Sequence, residues 1–559
     1  MPALKVAYFS MEIMLETDIP TYAGGLGVLA GDILRSCADL HIPACGVSLV
    51  YYGHTFSQII EPDGSQRFEH SEWARLDQLT KLPQTFELQI AGTPCKIGLW
   101  RYDIVGLDGF VVPVYLLDTN MIGNPAWIQK ITENLYATGD YRFMQEVLLG
   151  IGGVKALRAL GITEVGTYHL NEGHAAMVPL ALMAERNWQE AAVKPNCVFT
   201  THTPIPEGHD KFPYDLAWHF ARPYLPWHIK NLIGQNEFSL THLALNTCHK
   251  SFAVSRKHQE VSSRLFPGFT FDYVTNGVHL HSWIHNFIQD FLNAHLPGWL
   301  EDPNVLKNAP SLPSDLLWQA HQESKAKLIN YVNHHLTAVS TREEREHPNP
   351  IDLFDPDTLT ISLARRPVAY KRPLLLYRDL DRFAKIGRGR LQIIQCGKSH
   401  SDDMVSQRFV SEIIAASKRA RNSIKIVYLE NYSPKIARRL VSGSDVWLNT
   451  PMRPLEASGT SGMKAAGNGV LNFSVPDGWW IEGYADNSQS GFNIGGVDSP
   501  NDDAADAEAL YATLETQIMP LYYDHRPEWI DRMKQAITLG AQFNTHRVVQ
   551  EYLAKAWTN

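Results

Sequence analysis

The sequence predicts an α/β protein made of two doubly wound, Rossmann-like domains that face each other across a cleft. Three observations predict it. Short apolar runs recur in both halves of the chain, polar or glycine-containing motifs follow them directly, and a helical stretch punctuated by prolines separates the two sets. Short apolar runs bounded by turn residues read as strands buried on both faces. Ligand groups collect beyond the C-terminal ends of such strands.

Lys5 to Ser10 is the first strand and leads toward Gly24-Gly25-Leu26-Gly27. Leu34, Cys37 and Leu40 then keep a helical spacing. Val198 to Thr200 is another buried strand, ending in Thr201-His202-Thr203-Pro204. From about Trp283 to Asn349 the pattern is helical and polar, with Pro297, Pro303, Pro310 and Pro313 inside it. Pro348, Pro350 and Pro356 mark a second break. Beyond it, Leu359 to Leu363, Leu391 to Gln395, Ile424 to Leu429, Val446 to Leu448 and Val470 to Phe473 read as strands, with a helix over Lys435 to Val441. The expected division is therefore 1–282, a helical connection over 283–357, and 358–559 with terminal helices. The acidic run Asp502-Asp503-Ala-Ala-Asp506-Ala-Glu508 reads as a solvated loop or helix start.

Composition narrows the function classes. With 559 residues, the chain is long enough for two or more domains with ample cores. A hydrophobic fraction of 44% with 19% charged residues is globular, and no apolar run is long enough to cross a bilayer. The start Met-Pro-Ala-Leu-Lys lacks the pattern of a signal peptide, so a cytoplasmic location is expected. The six cysteines are scattered, with no CxxC pair, which argues against disulfides and a zinc site. His169, His174, His202 and His209 show no HxxxH spacing, so no metal is expected. A net charge of −9 without a basic run argues against nucleic acid as a partner.

Glu456-Ala457-Ser458-Gly459-Thr460-Ser461-Gly462-Met463-Lys464 sets one lysine among small, flexible residues. Hydroxyls and close backbone N–H groups can cradle an anion at a helix start. A lysine in a partly desolvated pocket can form a Schiff base with an aldehyde cofactor, and pyridoxal phosphate carries both an aldehyde and a phosphate. On composition alone, a solvated lysine after a Gly/Ser turn remains the alternative. Arg365, Arg366, Lys371 and Arg372 put four cations near a strand end, a number that repels itself unless an anion sits between them. A solvated basic turn is the other reading. Gly24-Gly25-Leu26-Gly27 lets backbone approach a phosphate or sugar, or is simply a tight turn. It follows its strand too late for a dinucleotide loop, and Gly397-Lys398-Ser399 lacks the first glycine of a P-loop.

The segment Glu456 to Lys464 resembles the cofactor-lysine motif of the α-glucan (glycogen, starch, maltodextrin) phosphorylases. Arg365-Arg-Pro-Val-Ala-Tyr-Lys371-Arg372 is similar to that family's phosphate-site segment, Glu430-Asn-Tyr432 to its cofactor-contact segment, and Thr275-Asn276-Gly277 to its sugar-contact turn. Gly24 to Gly27, Asn171-Glu-Gly-His174 and Thr201-His202-Thr203 occur in the family's order, so the likeness runs from Gly24 to about Asp477.

The resemblance implies the glycosyltransferase-B architecture, with a glucan-binding first domain and a second that binds cofactor and phosphate. It implies reversible, retaining phosphorolysis of terminal α-1,4 bonds, using pyridoxal phosphate on Lys464 and releasing α-glucose 1-phosphate. Carried over residue by residue, Lys464, Arg366, Lys371 and His202 are the catalytic set. Thr460, Ser461, Arg365, Tyr432 and Gly25 accompany Lys464 at the cofactor. Gly24, Leu26, Asn276, Tyr370, Glu456, Ala457, Ser458 and Gly459 contact the sugar. Arg365 stands where the family usually has a lysine, and Trp479-Trp480 replaces a polar segment after Asp477-Gly478. A homodimer is implied as well. Little sequence precedes the first motif, so constitutive activity is expected. A nucleotide-sugar glucan synthase or an inactive glucan-binding homologue are the competing readings.

Overall fold

The computed structural model describes residues 4–53, 55–71, 76–342 and 353–558. The break at Pro348 and Pro350 lies outside the described residues. The chain divides into two units that are not consecutive in sequence. One comprises Met1–Thr55, Ser71–His279 and Thr545–Asn559, and the other Phe56–His70 and Leu280–Asn544.

The first unit holds a nine-stranded sheet. Its parallel strands, in chain order, are Leu4–Ser10, Ala44–Leu49, Val111–Asp118, Val165–Asn171, Cys197–Thr200, Lys250–Ala253 and Asp272–Tyr273. Numbered within the unit they lie side by side as 3-2-1-4-5-6-7, a doubly wound order that reverses between the first and fourth strands. Cys197–Thr200 is buried at every position, as its apolar run predicts, and Ala44–Leu49 is equally buried although Gly46 and Ser48 break its apolar run. Two strands unmarked by that signal, Thr80–Ile90 and Thr93–Val105, continue the sheet antiparallel at its edge. They are partly exposed, and Ala91-Gly92 with positive φ at both residues turns the chain between them.

The second unit holds a six-stranded parallel sheet made of Leu359–Ala364, Leu391–Cys396, Lys425–Leu429, Val446–Asn449, Leu471–Ser474 and Gly491–Asn493. Their spatial order is 3-2-1-4-5-6, again doubly wound. Five of these strands fall within a residue or two of the apolar runs that predict them.

Three expectations need correction. The C-terminal helix Thr545–Lys555 belongs to the first unit, where Val548, Val549, Tyr552 and Trp557 share a core with Val6, Tyr8, Leu34 and Cys37. Sequence periodicity shows that a helix has an apolar face but not which sheet covers it. Second, the segment 283–357 is no separate connection. Helix Ser314–Arg342 is part of the second unit, where buried Lys325 and His321 bond the two oxygens of Asp445 at 2.6 and 2.9 Å. Third, the acidic run starts helix Asp503–Thr513, capped by Asp502, but Asp506 is buried and ion-paired with Arg372 at 2.7 Å and Arg453 at 3.0 Å. Among the described helices, none is long and apolar enough to cross a membrane.

Candidate active site

In the second unit, the sequence motifs converge on the C-terminal ends of the parallel strands. Arg365 follows Leu359–Ala364, Tyr432 follows Lys425–Leu429, Glu456 to Ser458 follow Val446–Asn449, and Asp477 follows Leu471–Ser474. The sheet reverses between the first and fourth of these strands, which makes this edge the switch point where an open α/β sheet binds ligands. Arg365 donates its N–H to Cys396 O at 3.0 Å. A Cβ on Gly397 would sit 2.1 Å from Arg365 O, so only glycine lets the two strand ends approach this closely. Desolvation pulls the Arg365 guanidinium below its usual range, opposed by the nearby Glu456, Tyr370 and Tyr432. Its Nη1 is buried without a hydrogen-bond partner among the described residues. Such an orphaned cationic donor is costly unless an anion meets it.

The other three cations do not share one anion site, contrary to the expectation of a four-cation group. Arg366 is exposed and donates to Asp403 Oδ2 at 3.1 Å. Lys371 pairs with Glu456 and lies over the Tyr370 ring. Arg372 is buried and turned away, donating to the carbonyls of Thr450 and Pro451 and to Asp503 and Asp506. Its role is to hold the fold, because its donors already have acceptors. Desolvation raises the Glu456 pKa, but Lys371 and Arg365 outweigh it and keep the carboxyl below its usual value.

Lys464 is buried on helix Ser461–Gly467, with Nζ 3.7 Å from the centre of the Trp283 ring. This is no solvated lysine. A cation over an aromatic face in a desolvated site is held by the ring quadrupole. Ser461 Oγ accepts the Trp447 indole N–H at 3.1 Å, and Thr460 O accepts the Lys464 N–H at 3.2 Å. Ser458 Oγ is buried with no partner among the described residues. Ala457 and Gly459, the latter at φ 74°, complete the loop. The Tyr370 carbonyl accepts the Met452 N–H at 2.7 Å, tying the cationic segment to the base of that loop.

Asp477, to which no sequence motif assigns a role, braces the site. Its two carboxylate oxygens accept the N–H groups of Glu456 at 2.8 Å and Gly478 at 2.9 Å. Burial lifts its pKa to about 7, with the Glu456 charge adding to the effect. Gly478 has φ 52°, and a Cβ there would lie 2.4 Å from Ser458 O. Trp479 and Trp480 are buried packing residues, and Trp480 donates its indole N–H to Asn493. The Asp-Gly pair was the available signal for this brace.

The first unit gathers its own polar set at strand ends. Glu12, just past Leu4–Ser10, accepts the backbone N–H groups of Ala23 at 2.5 Å and Gly24 at 3.0 Å, and the Tyr136 hydroxyl at 2.8 Å. Gly24 and Gly25 are exposed with open space where a Cβ would point, and Leu26 is half-buried at the start of helix Gly25–Asp39. Glu172 joins the two histidine motifs. Its carboxylate accepts the N–H of His202 at 2.6 Å, that of Gly173 at 2.9 Å and the Thr203 hydroxyl at 2.9 Å. A φ of 73° at this non-glycine residue aims the side chain. His202 Nε2 lies 2.6 Å from Asn171 Oδ1, so the ring donates there. Desolvation lowers the His202 pKa to about 3 and keeps the imidazole neutral. Asn276 is buried at the end of the sheet-edge segment, its N–H donated to Val254 O at 3.0 Å. Asp39, His279 and His546 also cluster, and the Asp39 carboxylate takes both Nε2 atoms and the Leu107 N–H. Hydrogen bonds account for that group.

Comparisons with known proteins agree with this geometry. The sequence pattern of carbohydrate phosphorylases matches residues 226–508, and that of the starch synthase catalytic domain matches residues 6–276. Maltodextrin phosphorylase of Thermococcus litoralis is 37% identical over 99% of this chain and 70% of its own length. Glycogen phosphorylase of Aquifex aeolicus is 33% identical over 99% of this chain and 86% of its own. That of Mycobacterium tuberculosis is 32% identical over 98% and 70%. With a family pattern across half of the chain and such relatives along nearly all of it, this chain belongs to the carbohydrate phosphorylase family.

Proposed function

We propose that the protein is an α-glucan phosphorylase that cleaves terminal α-1,4-glucosidic bonds of glycogen or maltodextrin with inorganic phosphate, reversibly and with retention, to give α-D-glucose 1-phosphate. The observation that carries this reading is Lys464, buried against Trp283 in a unit whose switch point holds a desolvated, unpartnered Arg365 nitrogen. A buried amine and an orphaned guanidinium suit an aldehyde that also bears a phosphate, and we assign pyridoxal 5'-phosphate to them. Lys464 would carry it, with Arg365, Thr460, Ser461, Tyr432 and Gly25 as its further contacts. When bound, this group supplies an acidic phosphate for proton exchange with the substrate phosphate.

The chain's own residues do the rest. Arg366 and Lys371 exchange Asp403 and Glu456 for inorganic phosphate, Arg as a fork and Lys as a point charge. Glu456, released from Lys371, turns its oxygens to sugar hydroxyls together with Ser458, Ala457, Gly459, Tyr370, Asn276, Gly24 and Leu26. Paired hydroxyls are what let such a site reject other sugars. His202 acts through its backbone carbonyl, because its ring and N–H are committed to Asn171 and Glu172. A fixed carbonyl dipole suits the positive charge that grows on an oxocarbenium-like sugar. The reading includes a cytoplasmic location, where six buried free thiols stay reduced.

The test is phosphate-dependent release of glucose 1-phosphate from maltodextrins and glycogen, with the anomer read by nuclear magnetic resonance. Borohydride treatment followed by peptide mapping should place a pyridoxyl label on Lys464. A β product, a label on another lysine, or no release at saturating phosphate overturns the reading. The starch synthase match at 6–276 keeps a nucleotide-sugar synthase as the second reading, which leaves the 456–464 segment without a role. Turnover of nucleotide-glucose in place of phosphate would favour it.

A further inference from the structure

The C-terminal helix Thr545–Lys555 does more than fill the core of the first unit. It grips the turn that carries Asn276. Arg547 Nη2 donates to Thr275 O at 2.6 Å and to Asn276 O at 3.1 Å. Consecutive carbonyls of an extended chain point to opposite sides, so one nitrogen can take both only where the chain leaves the sheet. The Thr545 N–H takes a third carbonyl of the same turn, Val278 O, at 3.0 Å. Upstream, Lys555 Nζ donates to Tyr273 O at 2.8 Å. Glu551 lies between the two cations on this face and bonds both, Arg547 Nη1 at 2.9 Å and Lys555 Nζ at 3.1 Å.

The segment needs such help because it is an edge. Among the described residues Asp272–Tyr273 pairs on one side only, with Lys250–Ala253, and Val274 and Asn276 bond Ala253 and Val254 beyond it. Its outward carbonyls would otherwise face solvent and leave the turn free to shift. The helix itself is fixed in register by Ser36 to Thr545 at 2.6 Å, His546 to Asp39 at 3.1 Å and Tyr552 to Thr200 at 3.0 Å. A rigid element therefore sets the peptide on which the Asn276 side chain stands.

We propose that Arg547 is a positioning residue for glucan binding, acting through the Thr275-Asn276 peptide. This rests on the reading above, in which Asn276 contacts the sugar. Arg547 touches no substrate itself. The competing role is edge-strand stability alone, which would move stability without separating one substrate from the other.

The experiment compares wild type, Arg547→Met, Arg547→Lys, Asn276→Ala and the Arg547→Met/Asn276→Ala double variant. Maltoheptaose binding is measured by calorimetry, and KM is measured for maltoheptaose and for phosphate. Arg547→Met is expected to weaken glucan binding and raise glucan KM about tenfold, or about 1.4 kcal/mol. Phosphate KM should stay within about twofold, as for a lost interaction with one substrate only. Arg547→Lys should recover most of the loss, and keeps the test open if the methionine variant folds poorly. Adding Arg547→Met to Asn276→Ala should cost nothing further, because the two act as one unit. Unchanged glucan binding, a joint shift of both KM values, or an additive double variant overturns the proposal. If wild type binds maltoheptaose but shows no phosphorolysis, the functional reading fails while the calorimetric comparison still decides the role of Arg547. Absence of wild-type binding overturns both.

Discussion

At the scale of single residues, apart from Arg365 the cations of the site are already paired, and substrates must exchange with those partners. Arg366 and Lys371 rest on Asp403 and Glu456. Removing a preorganised donor to developing charge costs on the order of 100-fold in rate. Arg366→Ala and Lys371→Ala should therefore each lose phosphorolysis by about that factor at saturating glucan while keeping cofactor absorbance. Normal turnover in either variant would remove that residue from the phosphate site. Asp477 gives a pH prediction. Burial raises its pKa to about 7, so the folded protein holds a proton that the unfolded chain releases at about pH 4. The folded state then binds more protons between those values, and stability falls as pH rises through the window, by up to about 1.4 kcal/mol per pH unit. Asp477→Asn removes that slope even if its absolute stability changes. Denaturant melts of both proteins between pH 4.5 and 7.5 check it, and parallel profiles would contradict it. Lys464 stands out in the sequence as a candidate because a lone cation among small residues is unusual. Glu12, Glu172 and Asp477 were not assigned, because a carboxylate that accepts backbone N–H groups from a distant segment leaves no local pattern.

At the scale of elements, strand ends and tight turns place these residues. Arg365 is aimed by the contact of its carbonyl with Gly397, where a Cβ would come within 2.1 Å. Gly397→Ala should push the ends of Leu359–Ala364 and Leu391–Cys396 apart. We expect a loss of about 1–3 kcal/mol, the range for overpacking a tight site, together with weaker cofactor retention. Thermal melting with and without added pyridoxal phosphate measures both. A variant of native stability that holds the cofactor as wild type does would show that this contact is not needed. Five strands of the second sheet, with Leu4–Ser10 and Cys197–Thr200 of the first, were readable because both faces are covered and the apolar residues run on, whereas Ala44–Leu49, Val111–Asp118, Val165–Asn171 and Lys250–Ala253, broken by polar residues, glycine or proline, were not. The antiparallel strands Thr80–Ile90 and Thr93–Val105, and the hairpin Thr55–Ile60 with Gln66–Ser71, were not readable either, since partial exposure dilutes that signal. That hairpin bonds the segment named as a cofactor contact, with Gln58 N–H on Asn431 Oδ1 at 2.7 Å and Ile60 N–H on Glu430 Oε1 at 2.6 Å.

At the scale of the whole molecule, the two units are interleaved along the chain. A fragment of residues 1–282 lacks the helix that buries Val548, Val549, Tyr552 and Trp557 in the first unit. Burying a large aromatic is worth about 3–5 kcal/mol by truncation, a large share of the 5–15 kcal/mol that typically holds a domain together. The fragment alone is thus expected to aggregate or stay unfolded, and co-expression with residues 540–559 should raise its soluble yield. A fragment that folds cooperatively by itself would refute this. The sequence by itself determined the α/β class, five of the six strands of the second sheet and the family likeness, because each is written in local spacing and residue type. Only the tertiary structure decided which cations have partners and that a buried Arg365 nitrogen has none among the described residues. It alone assigned the C-terminal helix to the first sheet and brought Arg547 onto the Asn276 turn. Those outcomes depend on contacts between residues hundreds of positions apart, whose side chains have the same composition whether or not they meet.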